Sequence, residues 1–431
     1  MLWSWFRRSL EDSSSMKWDP EVESPATIAI IGGGWTGLEV ALYARYLGYS
    51  IELFDARRIG WNWACWENKP MPSCWEEATT PLGRAALEAQ GEGIPRDQWQ
   101  MVPTRREFAD RYLIALAKSD LLVDFVHFNH RVIDVGRRTV PGRCLDAQER
   151  CNDEFRILSE SKFQGQRVTR ADVVVDSSGW SNQPVGMGPC GSVAAGEDRD
   201  APGVFFTLPT DEQQDRWRQK DLLIQGDSEE AWELVRRWLD VPPDRQQGTL
   251  RWLVQDPDVI RSDRFRSLET LWSQHSQSAA LLNCLGIERL TPSQAPGASK
   301  ARWRVDVSFA DERIEPIEVD AIFHLPNPGL DWSFCRSLWV MEPRFLSSAE
   351  KLGASQREPQ DGGCLGQVAE LFRSIATAEP HYYVLGSKRS NAPSDNAFRP
   401  IREQIRSLFA VLGEREGLDL YAVWESRLAS P

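Results

Sequence analysis

Between residues 28 and 58 the chain reads IAIIGGGWTGLEVALYARYLGYSIELFDARR, an order of residues that few folds can accommodate. Ile28, Ala29, Ile30 and Ile31 form a short apolar run rich in β-branched side chains, which suits a strand buried on both faces of a parallel sheet. Gly32 allows a tight turn, Gly34 lets the backbone approach a pyrophosphate, and Gly37 permits close packing of the next helix on the strand. From Thr36 to about Leu47 the residues favour helix, and Gly48 is placed to end it. The free amides at the start of that helix make an anion site. A second strand, Ser50 to Phe54, delivers Asp55 about 20 residues beyond the glycines, where a carboxylate accepts hydrogen bonds from an adenosine ribose. A G-x-G-x-x-G pattern by itself says little. The strand before it, the helix after it and the acid at the expected distance give it meaning, so Gly32, Gly33, Gly34, Thr36, Gly37 and Asp55 become candidate dinucleotide contacts. Asp55 also argues against a 2′-phosphate at this first site.

The chain has 431 residues, enough for two or three domains of ordinary size. With 41% hydrophobic and 26% charged residues it is expected to build real cores. A formal net charge of -13 argues against nonspecific binding to nucleic acid or to anionic membranes. None of the cysteines forms a C-x-x-C pair, which leaves neither a zinc ribbon nor a thioredoxin-like redox motif. Cys65 and Cys74 are too far apart to resemble the closely spaced pair of disulfide reductases. A chain of this size does not depend on a disulfide framework, so a cytoplasmic location is expected. No stretch approaches the roughly 18 to 20 apolar residues of a membrane-spanning helix. The opening residues, MLWSWFRRSLEDSSSMKWDPEVESP, lack a secretory h-region and read as a disordered extension over 1–25.

After the first strand-helix-strand unit, residues 60–83 hold Trp61, Trp63, Trp66 and Trp75 without a helical or strand period. These rings either cover a flat aromatic ligand or anchor a long loop onto the domain. Thr104, with Glu107 three residues on, forms a capping box that starts a helix over 104–119. HFNHRVIDVGRR and FRILSE read as strands of an antiparallel meander that returns to ADVVVDSSGW, whose apolar Val173 to Val175 end in Ser177, Ser178 and Gly179. A strand end opening onto a permissive backbone is where a parallel sheet meets its ligand.

The middle of the chain nearly repeats this beginning. KDLLIQGDSEEAWELVRRWLD, 220–240, reads strand, turn, helix, and GTLRWLVQD, 248–256, reads as the following strand. Aligned on G-x-G-x-x-G, Gly226 takes the middle place, with Ile224 and Glu229 in the outer two. Asp227, Glu229 and Glu230 put negative charge at the helix start, which stabilises the helix and repels a phosphate. IEPIEVDAIFHLPNPG then echoes TRADVVVDSSGW. A second nucleotide fold is therefore expected to be kept and its binding loop lost. Near the C-terminus the strand HYYVLG, ending at Gly386, Ser387 and Lys388, precedes a final helix from Arg399 to about Leu412 and closes the first domain again. The expected fold is α/β. It combines a Rossmann-like domain with an antiparallel meander, 26–200 and 346–431, and an inserted, degenerate domain of the NAD(P)-binding kind, 201–345. His324 and His381 lie near strand ends, where a lone histidine is more often structural than catalytic.

IGGGWTGLEVALYARYLGY with Asp55, TTPLG, TRREFADRYLIALAKSDLL, ADVVVDSSGW and HYYVLGSK together resemble the two-dinucleotide-binding-domain flavoproteins, the superfamily of pyridine nucleotide-disulfide oxidoreductases and class B flavin monooxygenases. The chain looks closest to a bacterial branch of FAD-dependent, monooxygenase-like proteins. The resemblance implies FAD held through Gly32, Gly34, Gly37 and Asp55, with Gly33 and Thr36 in the same turn. It puts Val132 near the adenine, Gly179 on the diphosphate side and the region after Gly386 near the flavin ring. Lys388 would then stand either beside the flavin's N1 and C2 carbonyl, where a cation stabilises the anionic reduced ring, or in solvent. Relatives carry a second glycine motif for NAD(P)H where this chain has IQGDSE, so an NADPH-fed reaction is in doubt. Three readings stay open: a FAD-dependent oxidoreductase acting on a small molecule, a silent flavin- or nucleotide-binding protein, and a simple dehydrogenase with NAD in the first site. The substrate does not follow from these residues.

Overall fold

The computed structural model describes residues 18–61, 69–179, 185–198, 200–209, 217, 219–242, 248–256, 258–293, 302–326, 330–340, 364–390, 398–415, 417 and 419–429. The chain divides into two compact units, Met1–Asn182 with Leu330–Pro431, and Gln183–Gly329. The sequence reading placed the divisions at 200 and 345. Residues 185–198 belong to the second unit because their backbone bonds to its strands, Ile287 N to Met187 O at 2.9 Å and Leu290 N to Ala195 O at 2.8 Å.

In chain order the first unit supplies β1 (Thr27–Ile31), α1 (Trp35–Tyr46), β2 (Ser50–Asp55), α2 (Pro81–Glu88), β3 (Val126–Phe128), β4 (Arg131–Arg137), β5 (Phe155–Ser161), β6 (Gly165–Ala171) and β7 (Val173–Asp176). The second supplies β8 (Val204–Phe205), β9 (Leu222–Gln225), α3 (Glu229–Leu239), β10 (Leu250–Val254), β11 (Ala279–Asn283), β12 (Gly286–Pro292), β13 (Trp303–Ser308), β14 (Ile314–Val319) and β15 (Ala321–His324). The chain then returns to the first unit with α4 (Cys364–Ile375), β16 (Tyr382–Val384) and α5 (Phe398–Leu412).

The first unit is built on a five-stranded parallel sheet in the order β16-β7-β1-β2-β3, beside an antiparallel β4-β5-β6 meander. Its strands are apolar because both faces are covered. Ile28 and Ile30 of β1 pack with Leu38 and Leu42 of α1, while Ala29 and Ile31 pack with Val132, Val135 and Phe155 of the meander. On its outer side α1 meets α5, where Tyr43 stacks on Phe409 with centroids 4.9 Å apart. The second unit repeats the plan: a parallel sheet β11-β10-β9-β15-β8 and an antiparallel β12-β13-β14 meander. Thus β9, β10, β11 and β15 take the places of β1, β2, β3 and β7. The repeats differ in the fifth strand, which follows the others in the chain as β16 and precedes them as β8.

Local signals account for several elements. Thr104 and Glu107 close their capping box reciprocally, and the helix they start widens into a π turn over Ala109–Ile114. The loop over 60–83 contains more helix than its pattern suggests: Trp75–Ala78 is helical, and Thr80 caps α2 by accepting from Gly83 N at 2.8 Å. Trp75 is buried and anchors this segment, whereas Trp61 is 38% exposed beneath Arg57 and Arg58. Trp63 and Trp66 lie outside the described residues, as do residues 1–17. Residues 18–25, read as part of an extension, pack on the first unit: Trp18 is buried, Val22 N donates to Leu412 O at 2.9 Å, and Tyr49 OH donates to Val22 O at 2.8 Å. No described helix is long and apolar enough to cross a membrane.

Candidate dinucleotide site

Beyond β1 the chain turns at Gly32, whose φ of +104° lies where side chains rarely go and whose N–H donates to Phe54 O at 2.8 Å. A Cβ there would stand 2.6 Å from Ser177 O, so glycine is required twice over. Gly33 N donates to Asp55 Oδ2 and Arg57 N to Asp55 Oδ1, both at 2.7 Å. These bonds key the acid at the end of β2 to the glycine turn. Burial pushes the Asp55 carboxyl up against the pull of those two amides. Gly34 is the N-cap of α1; no side chain caps this helix, and a Cβ on Gly34 would meet nothing within 4 Å. The first amides of α1 are therefore left without a side-chain cap, the condition of an anion site. Gly37 lies so close to the turn that a Cβ would come 1.9 Å from Gly32 O.

The other predicted residues surround this turn unequally. At the end of β16, Gly386 has φ +72°, and a Cβ on it would come 2.8 Å from Thr36 Oγ1. Gly179, with φ +69°, faces Ser387 Oγ across 3.4 Å from its Cβ position. Val132 packs in the cluster with Ile31 and Phe54, and the turn before it is tied to Asp55 by His130 N donating to Asp55 O at 2.8 Å. Lys388 stands behind the strand ends, neither in solvent nor open to a ligand. Its fully enclosed Nζ donates to Asp176 Oδ2 at 2.6 Å, Ser178 Oγ at 3.1 Å and Asp331 O at 2.6 Å, three bonds for three protons. Asp176 also accepts from Tyr382 OH at 2.9 Å.

Sequence reasoning missed Glu39, on the second turn of α1. It is fully buried, accepting from Tyr112 OH at 2.5 Å and Thr80 Oγ1 at 2.9 Å, and burial pushes its carboxyl up to about 7. Gly83 makes room for the tyrosine: a Cβ there would stand 2.1 Å from Tyr112 OH. The signal available was a glutamate amid the apolar residues of GLEVALY.

The second unit presents the matching turn in altered form. Gly226 follows β9 with φ +119°, donates from N to Leu253 O at 3.0 Å, and would place a Cβ 2.2 Å from Leu325 O. Each feature matches Gly32. Gly226 is thus the first glycine of the motif and not the middle one, because the strand end and the positive φ set the register. Ser228 then occupies the place of Gly34, Ala231 that of Gly37, and Val254 that of Asp55, so the turn reads G-x-S-x-x-A. Ser228 caps α3 itself by accepting from Ala231 N at 3.2 Å, and Glu229 and Glu230 fill the first turn. His324, at the end of β15, sits buried with Nδ1 3.1 Å from Gln225 Oε1 and Nε2 2.9 Å from Val185 O, a structural placement. Among the described residues, no group of three or more His, Cys, Asp or Glu side chains is placed to hold a metal ion.

No protein-family model matches the sequence, and no curated protein matches it. Solved structures do match. A bacillithiol disulfide reductase, Bdr from Bacillus cereus, superposes with a TM-score of 0.55 at 13% identity, covering 93% of this chain and 99% of that one. DfoA, the cadaverine monooxygenase of Erwinia amylovora solved with FAD bound, gives 0.56 at 12% identity over 90% and 94% of the two chains. The ornithine hydroxylase PvdA of Pseudomonas aeruginosa gives 0.54 at 13% identity over 90% and 99%. At such identities the likeness concerns the fold, and it extends over nearly the whole of each chain. The protein shares the fold of these reductases and monooxygenases.

Proposed function

We propose that this protein is a FAD-dependent oxidoreductase, monooxygenase-like, acting on a small molecule. The observation that carries the reading is the uncapped amino end of α1 above Gly34, where a Cβ would meet nothing within 4 Å, with Asp55 keyed to the same turn. Gly32, Gly33, Gly34, Thr36 and Gly37 would hold the pyrophosphate, Asp55 the ribose, and Val132 would border the adenine. Gly179 and Gly386 would let the backbone come close to the remainder of the cofactor. When bound, the flavin supplies the redox chemistry. The chain's own part is to bind it, orient it and exclude water from it. Lys388 would act as a positioning residue, fixing the strand end from which Gly179 departs through Asp176 and Ser178. The FAD in the Erwinia amylovora monooxygenase supports the reading.

A second reading, a flavin-binding protein without turnover, is favoured by one feature: the self-capped, acidic start of α3 and the apolar Val254 offer NAD(P)H neither an anion site nor a ribose acceptor. The test is the visible spectrum of the purified protein, with added FAD if it is colourless, followed by anaerobic NADPH. Flavin bands that persist with NADPH and bleach with dithionite are the expected result. Rapid bleaching by NADPH would show that the altered turn still serves. A protein that takes up no FAD at all would overturn the flavoprotein reading.

A further inference from the structure

Glu39 stands on the helix that opens the dinucleotide site, five residues past the N-cap Gly34 and so about 7.5 Å along the axis. Its side chain is fully enclosed. Tyr112 OH donates to Oε1 at 2.5 Å and Thr80 Oγ1 to Oε2 at 2.9 Å. The two hydroxyl oxygens lie 3.4 Å from each other, so the three side chains close a ring. Backbone amides hold that ring in place: Thr80 N donates to Tyr112 OH at 3.0 Å and Gly83 N to Thr80 Oγ1 at 2.8 Å. Trp35 Nε1, in the first turn of α1, donates to Ala78 O at 3.0 Å and ties the helix start to the segment that bears Thr80.

The ring satisfies both protonation states of the acid. With Glu39 ionised, both hydroxyl protons point at the carboxylate. With Glu39 protonated, Oε2–H donates to Thr80 Oγ1, Thr80 donates to Tyr112 OH, and Tyr112 donates back to Oε1. A proton can therefore come and go by rotation of hydroxyl groups, with no buried donor or acceptor left unmet in either state. Of the charged groups facing the ring, Arg84 of α2 and Arg402 of α5 favour the anion, while their hydrogen bonds go to Thr79 and to the carbonyls of Glu76 and Glu77. Glu76 and Glu425 act in turn on Arg84. Tyr421, from the helix Leu420–Ala429, is a neutral phenol. Burial outweighs the hydroxyl bonds and both guanidinium groups, and the carboxyl is pushed up to about 7. The acid is thus divided between its two forms near neutral pH, beside the place where a diphosphate would bring negative charge.

Resting on the FAD reading above, we propose that Glu39 couples cofactor binding to a proton: seating the FAD diphosphate at the start of α1 draws a proton from solvent onto Glu39, and loss of that proton loosens the cofactor. A buried carboxylate is poorly screened from the diphosphate, whose charge favours the neutral acid, and by reciprocity the neutral acid favours the diphosphate. The sign follows. FAD affinity is full where Glu39 is protonated in the free protein, falls as pH rises through about 7, and levels off above the higher midpoint of the complex. The test is calorimetric titration of the cofactor-free, full-length protein with FAD at pH 7.5, in HEPES and in Tris, whose ionisation enthalpies differ. Uptake of about half a proton per FAD is expected, with affinity falling on the order of tenfold from pH 6 to pH 9. Glu39→Gln, uncharged and of the same shape, should bind FAD as the wild type does at pH 6, with neither proton uptake nor pH trend. The carbon-13 carboxyl signal of Glu39 in the wild type gives a second measurement that does not depend on the variant folding; FAD should raise its midpoint by about one pH unit. FAD binding without proton uptake, uptake that persists in the folded Glu39→Gln protein, or an unmoved Glu39 midpoint would overturn this inference alone. Absence of FAD binding at every pH would overturn the flavoprotein reading, and the inference with it.

Discussion

Two glycines of one motif do different jobs, and substitution separates them. At Gly34 the φ of −72° suits any residue and a Cβ meets nothing within 4 Å, so Gly34→Ala should leave the stability of the cofactor-free protein within about 1 kcal/mol. On the function proposed above, the methyl group would instead occupy the space for the pyrophosphate and weaken FAD binding by on the order of tenfold, about 1.4 kcal/mol or more. Gly37→Ala would drive a methyl to within 1.9 Å of Gly32 O and should destabilise the fold itself by about 1 to 3 kcal/mol. Urea unfolding and FAD titration of both variants check this split, and equal effects on stability would refute it. Glu39 gives a second prediction. Its carboxyl is raised to about 7 when folded, so the folded chain keeps a proton that the unfolded chain releases as pH rises from about 4.5. Stability should fall through the window from about 4.5 to 7, by on the order of 3 kcal/mol, and then level off. Glu39→Gln should flatten that slope in urea melts between pH 5 and 8. The glycines were legible because turn chemistry is local. Glu39 was not, since Thr80 lies 41 residues away and Tyr112 lies 73 away, and only the folded chain brings them together.

At the scale of elements, what distinguishes the two units is how a helix begins. The start of α1 is left open, whereas α3 is closed by the Ser228 hydroxyl and by two glutamates in its first turn. Ser228→Ala should therefore cost about 1 kcal/mol, within the usual range of about 0.5 to 2 for a lost cap, and should not create an NADPH site, because Glu229 and Glu230 remain. A thermal melt and an NADPH titration of the variant test both halves, and saturable NADPH binding would show that the hydroxyl alone blocks the turn. The acidic start was plain in the sequence, but its register was not. Counting from glycine spacing put Gly226 in the middle of the motif; β9, its end at Gln225 and the positive φ put it first. The segment after Trp75 was hidden for another reason. Its helices are short and offer no long apolar period, although Thr80 followed by Pro81 is a cap and first-turn pair that marks the start of α2.

For the whole molecule, the informative feature is that the strand plan is carried out twice, with the fifth strand entering from opposite ends of the chain. That plan was readable where strand and turn recur together, as in β9 with Gly226 and β14 with β15. It was unreadable at β8, two residues long, which gains its strand character only by pairing with β15. The arrangement makes the second unit a single continuous stretch, Gln183–Gly329, and the first a split one. A continuous stretch with its own core can fold without its neighbour. This one has two: Leu222, Ile224, Trp232, Trp252 and Phe323 pack on the α3 side of its sheet, and Leu223, Leu253, Val305, Val307 and Ile322 pack between the sheet and its meander. Residues 183–329 expressed alone should accordingly melt as one cooperative transition with mixed helix and strand circular dichroism. With Ser228, Glu229 and Glu230 at its helix start, the fragment should bind NADPH no more tightly than inorganic phosphate does. A fragment that shows no transition would mean that the duplicated plan is not a folding unit. One that folds and binds NADPH with micromolar affinity would show that the altered turn still takes the nucleotide.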